Sequence, residues 1–114
     1  MPTVAEVIAI ERTQGEVRIN LRVPPDLVYF DGHFPDCPLL PGVVQVEWAI
    51  LYGRKHFQLH TEFRKLSVLK FMRLIEPGAE LALVLRNTQG SARLTFEYRE
   101  RDRPCSSGTV EFAA

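Results

Sequence analysis

The chain has 114 residues, enough for one domain with a modest hydrophobic core, and its 46% apolar and 25% charged content is that of a folded globular protein. Lys plus Arg and Asp plus Glu each total 14, so no net charge draws in a nucleic-acid backbone, and no RNP-type aromatic–glycine cluster is present. A membrane span is set aside as well, because the longest apolar stretch, near residues 37–51, is interrupted by Gln45 and Glu47 and is too short.

The opening segment MPTVAEVIAIERTQGEV lacks the basic region and unbroken apolar run of an export signal. Cys37 and Cys105 are therefore expected to be reduced thiols, and the expected location is the cytoplasm. VAEVIAIER is rich in β-branched residues and predicts a strand. GEVRINLRV, residues 15–23, alternates Val17, Ile19, Leu21 and Val23 with Arg18, Asn20 and Arg22, the period of a strand with one dry face. Gly15, free to take positive φ, suits a hairpin turn between the two.

A loop stiffened by Pro35, Pro38 and Pro41 comes next, carrying Gly32, His33, Phe34 and Cys37. Pro41 suits the first turn of a helix, and GVVQVEWAILY continues it without a break. Fraying is expected near Gly53–Phe57, where Arg54, Lys55 and His56 complement the carboxyl end of the helix dipole. Apolar residues cover nearly the whole circumference of the first turns, which predicts a buried helix. FRKLSVLKFMRLI, ELALVLRN, SARLTFEYRER and SSGTVEFAA then read as four strands, the first ended by Pro77-Gly78. The expectation is an α+β fold over residues 1–114, a single domain with an antiparallel sheet curled around one central helix.

A carboxylate inside an apolar helix costs several kcal/mol of lost hydration unless it is paired or protonated. Glu47 is flanked at helix-adjacent spacings by Val43, Val44, Val46, Ile50 and Leu51, so it is expected to be buried and able to act as a general acid. The plain alternative is a half-buried helix with Glu47 in water. A lone histidine usually carries no chemistry, but His33 sits in a rigid loop feeding the start of that helix, a typical way to place a catalytic side chain. Gly42 adds unpaired N–H groups at a helix N-terminus. A base, an acid and an oxyanion donor fit proton abstraction beside a carbonyl with loss of a β-hydroxyl.

GHFPDCPLLPGVVQVE, residues 32–47, resembles the active-site signature of the FabZ/FabA-type β-hydroxyacyl-acyl carrier protein dehydratases. Gly32, His33, Phe34, Pro35, Pro38, Pro41, Gly42 and Val43 match its G-H-F-P-x-x-P-x-x-P-G-V pattern, and Glu47 falls fourteen residues after His33, as in that family. More weakly, LSVLKFMRLIEPGAEL is similar to the strand and Pro-Gly turn that follow the family's helix. The resemblance implies a hotdog fold and dehydration of a (3R)-hydroxyacyl thioester to the trans-2-enoyl thioester. His33 would be the base at C2, Glu47 would protonate or orient the leaving hydroxyl, and the Gly42 amide would polarise the carbonyl, with Val43 and Phe34 beside the substrate. It further implies an obligate homodimer, with the His and the acid of one site on different subunits. No cofactor or metal is implied beyond the phosphopantetheine that carries the substrate on acyl carrier protein or coenzyme A.

This chain departs from that family at three points. It begins close to its first strand, where the family has a further segment; Leu51 stands where a Gln is common; and Trp48 replaces a small residue. These bear on acyl-chain length and tunnel shape. The LPGVVQ form is more similar to the ApeI-like dehydratases of aryl polyene biosynthesis.

Other candidates are weaker. His56 and His60 have an i, i+4 spacing that could face a metal, but no third ligand stands nearby. Cys37 has no activating base beside it in sequence. Arg54, Lys65, Lys70 and Arg73 could meet an acidic carrier protein or simply be solvated. An acyl thioesterase with Glu47 activating water, or a non-catalytic acyl-binding subunit, are the rival functions. His33 favours elimination, because hydrolysis needs no base at C2.

Overall fold

The structure, a computed structural model, describes residues 4–26, 39–88 and 90–114. In chain order the described elements are β1 (Glu6–Thr13), β2 (Glu16–Arg22), α1 (Gly42–Phe57), β3 (Phe63–Phe71), β4 (Glu80–Arg86), β5 (Arg93–Glu100) and β6 (Arg103–Phe112). The strands form one antiparallel sheet in the order β1-β2-β4-β5-β6-β3. After the helix the chain therefore crosses to the far edge as β3 before returning to the middle as β4.

The alternation in β2 puts Val17, Ile19 and Leu21 on the inner face, paired in register with Leu85, Leu83 and Leu81 of β4. Leu85 and Leu83 in turn face Phe96 and Tyr98 of β5. Val44, Trp48, Ala49 and Tyr52 of α1 complete the same core. The helix can lie this close to β5 because residue 53 is glycine: a Cβ there would run into the Leu94 side chain. The expected fraying at Gly53 is therefore corrected. Gly53 is a packing residue, the helix runs on to Phe57, and it ends at Gln58 in the left-handed conformation, φ +54°.

Two more boundaries differ from expectation. β6 begins at Arg103 rather than Ser106, because Pro104 pairs with Arg99 beside a bulge where its missing N–H is tolerated. β3 ends at Phe71, after which the amides of Met72 and Arg73 both turn to the Cys105 carbonyl. The Gln14-Gly15 turn is as expected, with Gly15 at φ +75°. Arg54 is not free surface charge. Its guanidinium donates to the carbonyls of Leu59 and Thr61 at 2.8 and 2.7 Å and stacks on the Phe112 ring, tying the segment after the helix to β6.

The helix is not buried all round. Val43 is 66% exposed, Leu51 48%, and Glu47, midway between them, is exposed too. Spaced by four, these three share one face, and it points away from the sheet. Edge strand β3 is also apolar and uncovered, with Phe63, Val68, Leu69 and Phe71 exposed and a bulge at which Val68 takes φ +51°.

Candidate active site

The site is centred on the start of α1. Pro41 is its N-cap, with extended backbone at φ −61°, ψ 145° and no capping side chain, and no acidic residue stands in the first turn. The amides of Val44 and Gln45 turn back to the Pro41 carbonyl at 3.1 and 3.2 Å. Those of Gly42 and Val43 belong to the set a helix start leaves without an intrahelical acceptor. With the dipole behind them they suit a developing negative charge on oxygen.

Gly42 also makes a close contact across the sheet edge. A Cβ at this position would stand 2.6 Å from Cζ of the half-exposed Phe71, so glycine lets the β3 ring lie over the helix start where any larger residue would make it swing aside. Beside that contact is an apolar recess of about 260 Å³ lined by Gly42, Val43, Val46, Leu66, Leu69 and Phe71. A larger depression of about 780 Å³ lies at the other end of the helix, among Gln14, Phe57, Arg86, Asn87 and Arg93, remote from these groups.

Glu47 does not stand where burial was expected. The sequence argument assumed that an apolar helix is enclosed by its own chain. One chain encloses only the face bearing Val44, Trp48, Ala49 and Tyr52, and Glu47 is on the other. The outward face is nonetheless mostly apolar, so the acid stands on a surface with the composition of an interior. His33, Phe34 and Cys37 lie outside the described residues. Of the expected site, the structure brings Gly42, Val43 and Glu47 onto one helix.

Behind this face is a buried polar network that sequence reading missed. Gln45, 4% exposed, donates from Nε2 to the Leu40 carbonyl at 3.2 Å and accepts at Oε1 from the fully buried Ser106 hydroxyl at 2.6 Å. Tyr98 donates to the Gln45 backbone carbonyl at 2.6 Å. Burial, and then the neighbouring Tyr52, push the Tyr98 phenol well above its ordinary pKa, so it remains a donor at all working pH. The available signal was Gln45 itself, a polar residue two positions from Glu47 and so on the opposite side of the helix.

The remaining candidates separate from the site. His60 lies beyond the helix end and shares no helical face with His56, and no group of metal-ligating side chains occurs among the described residues. His56 Nδ1 instead meets the Arg12 guanidinium, and its Nε2 is buried without a partner among the described residues. Cys105 is a free, buried thiol whose pKa is raised, mainly by desolvation.

An antiparallel sheet curled on one helix, with GHFPDCPLLPGVVQVE leading into that helix, defines a dehydratase-type hotdog protein. The comparisons agree. A chain of the dehydratase heterocomplex ApeI:P from Xenorhabdus doucetiae is 32% identical, with each chain covered in full and a TM-score of 0.88. An uncharacterised protein of Erwinia carotovora subsp. atroseptica is also 32% identical, with 97% of each chain covered and a TM-score of 0.85. The 3-hydroxyacyl-[acyl-carrier-protein] dehydratase FabZ of Natranaerobius thermophilus is 32% identical over 68% of this chain, and that of Erythrobacter litoralis 30% over 75%. This chain spans 57% and 64% of the length of those two relatives. The family model described as ApeI-like, ApeI dehydratase, matches residues 9–109. The chain belongs to the ApeI-like dehydratase family.

Among the described residues no helix is long and apolar enough to cross a membrane.

Proposed function

We propose that this protein dehydrates a (3R)-hydroxyacyl thioester, carried on the phosphopantetheine of acyl carrier protein, to the trans-2-enoyl thioester in fatty-acid or aryl polyene-type synthesis. His33 takes the C2 proton while the Gly42 amide holds the thioester oxygen as charge develops there. The C2–H electron pair forms the C2=C3 bond, the C3–O bond breaks, and Glu47 protonates the departing hydroxyl, which leaves as water. Afterwards the proton on His33 and the deficit on Glu47 are reset through solvent. Val43 and Phe34 flank the acyl group. No cofactor takes part beyond the carrier arm.

The observation that carries the reading is Glu47, the one carboxylate of α1, standing between Val43 and Leu51 on an uncovered apolar face that ends at the Gly42–Phe71 recess. An acid on such a face is ordered and desolvated once a second chain covers it. We take that chain to be another copy of this one, which supplies its His33 to the site. The apolar edge of β3 and the outward face of α1 support this reading. ApeI of Xenorhabdus doucetiae forms a dehydratase heterocomplex, and sedimentation of this chain alone distinguishes a pair of copies from a mixed assembly. We place the reaction in the cytoplasm, where the free thiol of Cys105 is at home.

The test is incubation with 3-hydroxyacyl thioesters of short, long and aryl chains on acyl carrier protein and on coenzyme A. Enoyl absorbance and free thiol are followed separately. Enoyl product without thiol is expected. Thiol without enoyl identifies a hydrolase, and neither identifies a binding subunit.

A further inference from the structure

We propose that Gln45 is a positioning residue for the dehydration step, its carboxamide locking the end of the His33-bearing segment to the helix that carries Glu47. The inference rests on the function proposed above, but its geometry is independent of it. Leu40 is the last residue before the helix cap and lies seven positions after His33. It is clamped at both ends of its peptide unit: its amide donates to the Ile75 carbonyl at 2.8 Å, and its carbonyl accepts from Gln45 Nε2 at 3.2 Å.

The carboxamide is held in turn. The Leu40 carbonyl can only accept, so it takes the NH2 end of the amide, and Ser106 of β6 donates to the remaining Oε1 at 2.6 Å. Tyr98 of β5 grips the backbone carbonyl of the same residue. One residue thus joins the loop exit and β6 through its side chain and β5 through its backbone carbonyl, inside the core. Glu47 stands two residues further along, roughly 200° around the helix. Rotation of the helix would move Glu47 and the Gly42 amide within their own site, and slippage of the loop exit would move the His33 that the same chain lends to the other copy's site. Misplacement by about 1 Å costs about 100-fold in rate. A purely apolar residue would fill the space but would leave both the Leu40 carbonyl and the Ser106 hydroxyl without their partner.

The experiment measures enoyl formation by the full-length protein and its Gln45→Leu, Gln45→Glu and Ser106→Ala variants, together with hydrogen exchange at the Leu40 amide. Gln45→Leu is expected to lower kcat by about 10–100-fold with KM nearly unchanged. Ser106→Ala, the milder change, should lower kcat by a few-fold and speed exchange at Leu40 while amides of β4 stay protected. Gln45→Glu supplies the rescue. A neutral carboxyl can still donate to Leu40 while accepting from Ser106, whereas a carboxylate cannot, so its kcat relative to wild type should rise as pH falls. The groups bonded to residue 45, Tyr98, Ser106 and the Leu40 carbonyl, carry no charge over that range.

If Gln45→Leu does not fold, Ser106→Ala and Gln45→Glu decide. Wild-type kcat and unchanged Leu40 exchange in Ser106→Ala, with a flat pH ratio for Gln45→Glu, would overturn the proposal. Absence of turnover by the wild-type protein would instead sink the proposed function, and exchange at Leu40 would then judge the clamp alone.

Discussion

Phe71 lies across the first residue of the helix so closely that a Cβ on Gly42 would stand 2.6 Å from its ring. The contact joins the proposed oxyanion donor to edge strand β3, so the helix start and the apolar recess are built as one unit. Gly42→Ala must displace that ring. The Phe71 ring is half exposed and can swing aside, and the helix preference of alanine over glycine, about 1 kcal/mol, offsets much of what that costs. Turnover should fall much further than stability does, and Gly42→Ala combined with Phe71→Leu should recover part of it. Steady-state kinetics with a parallel urea melt checks both statements.

The second glycine of the helix makes a purely structural prediction. Gly53→Ala drives a methyl group into Leu94 at the closest approach of α1 and β5. The substitution is expected to lower stability by about 1–3 kcal/mol despite the better helix propensity. Shrinking the partner, as in Gly53→Ala with Leu94→Val, should be less harmful than the sum of the single changes. A denaturant double-mutant cycle measures this.

Glu47→Gln separates the roles of one chain and two. The carboxylate is exposed on the single chain, so at protein concentrations where the chain is alone the change should be within about 0.5 kcal/mol of neutral. Where two chains cover the face, the neutral isostere avoids burying a charge, and the midpoint should rise with protein concentration more steeply than in wild type. Activity should be lost where two chains assemble, and His33→Ala should lose it there without altering assembly. Thermal melts over a concentration series give the comparison.

The uncovered face itself can be tested by placing a charge in it. Leu51 is 48% exposed on the single chain, where Leu51→Lys should be tolerated. Across a chain–chain contact a buried lysine is unfavourable, so the variant should sediment at the mass of one chain and lack turnover. An unchanged sedimentation profile would place the interface elsewhere.

His56 predicts a component of the stability–pH curve. Burial, followed by the charges of Arg12 and Lys55, lowers its pKa in the folded chain. The folded protein thus releases this proton more readily than the unfolded chain, so between the two pKa values the unfolded state binds more protons. The contribution is fully present above about pH 6.5, the ordinary value for histidine, and is lost as pH falls through the lowered one. His56→Gln should flatten that part of the curve, as followed by urea midpoints between pH 5 and 8.

Much of this protein was legible in its residues. Period-two alternation in β2 fixed which of its faces is dry, and the Pro41-Gly42 pair marked the start of the helix, because these patterns depend only on neighbours a few residues apart. The run from Gly32 to Glu47 likewise carried the chemical suggestion and the family resemblance. Contacts far apart in the sequence were not legible. Nothing local tells that Gly53 is shaped by Leu94, that Gly42 admits Phe71, or that Ser106 and Tyr98 meet at Gln45. That Pro104 is accommodated in β6 beside a bulge is likewise a matter of its pairing with Arg99.

Most consequential is the setting of Glu47. The sequence determined that an acid sits among apolar side chains; only the tertiary structure decided that its own chain leaves it uncovered. One sheet can enclose a single face of a helix, and the apolar residues left over mark the place where another surface has to close.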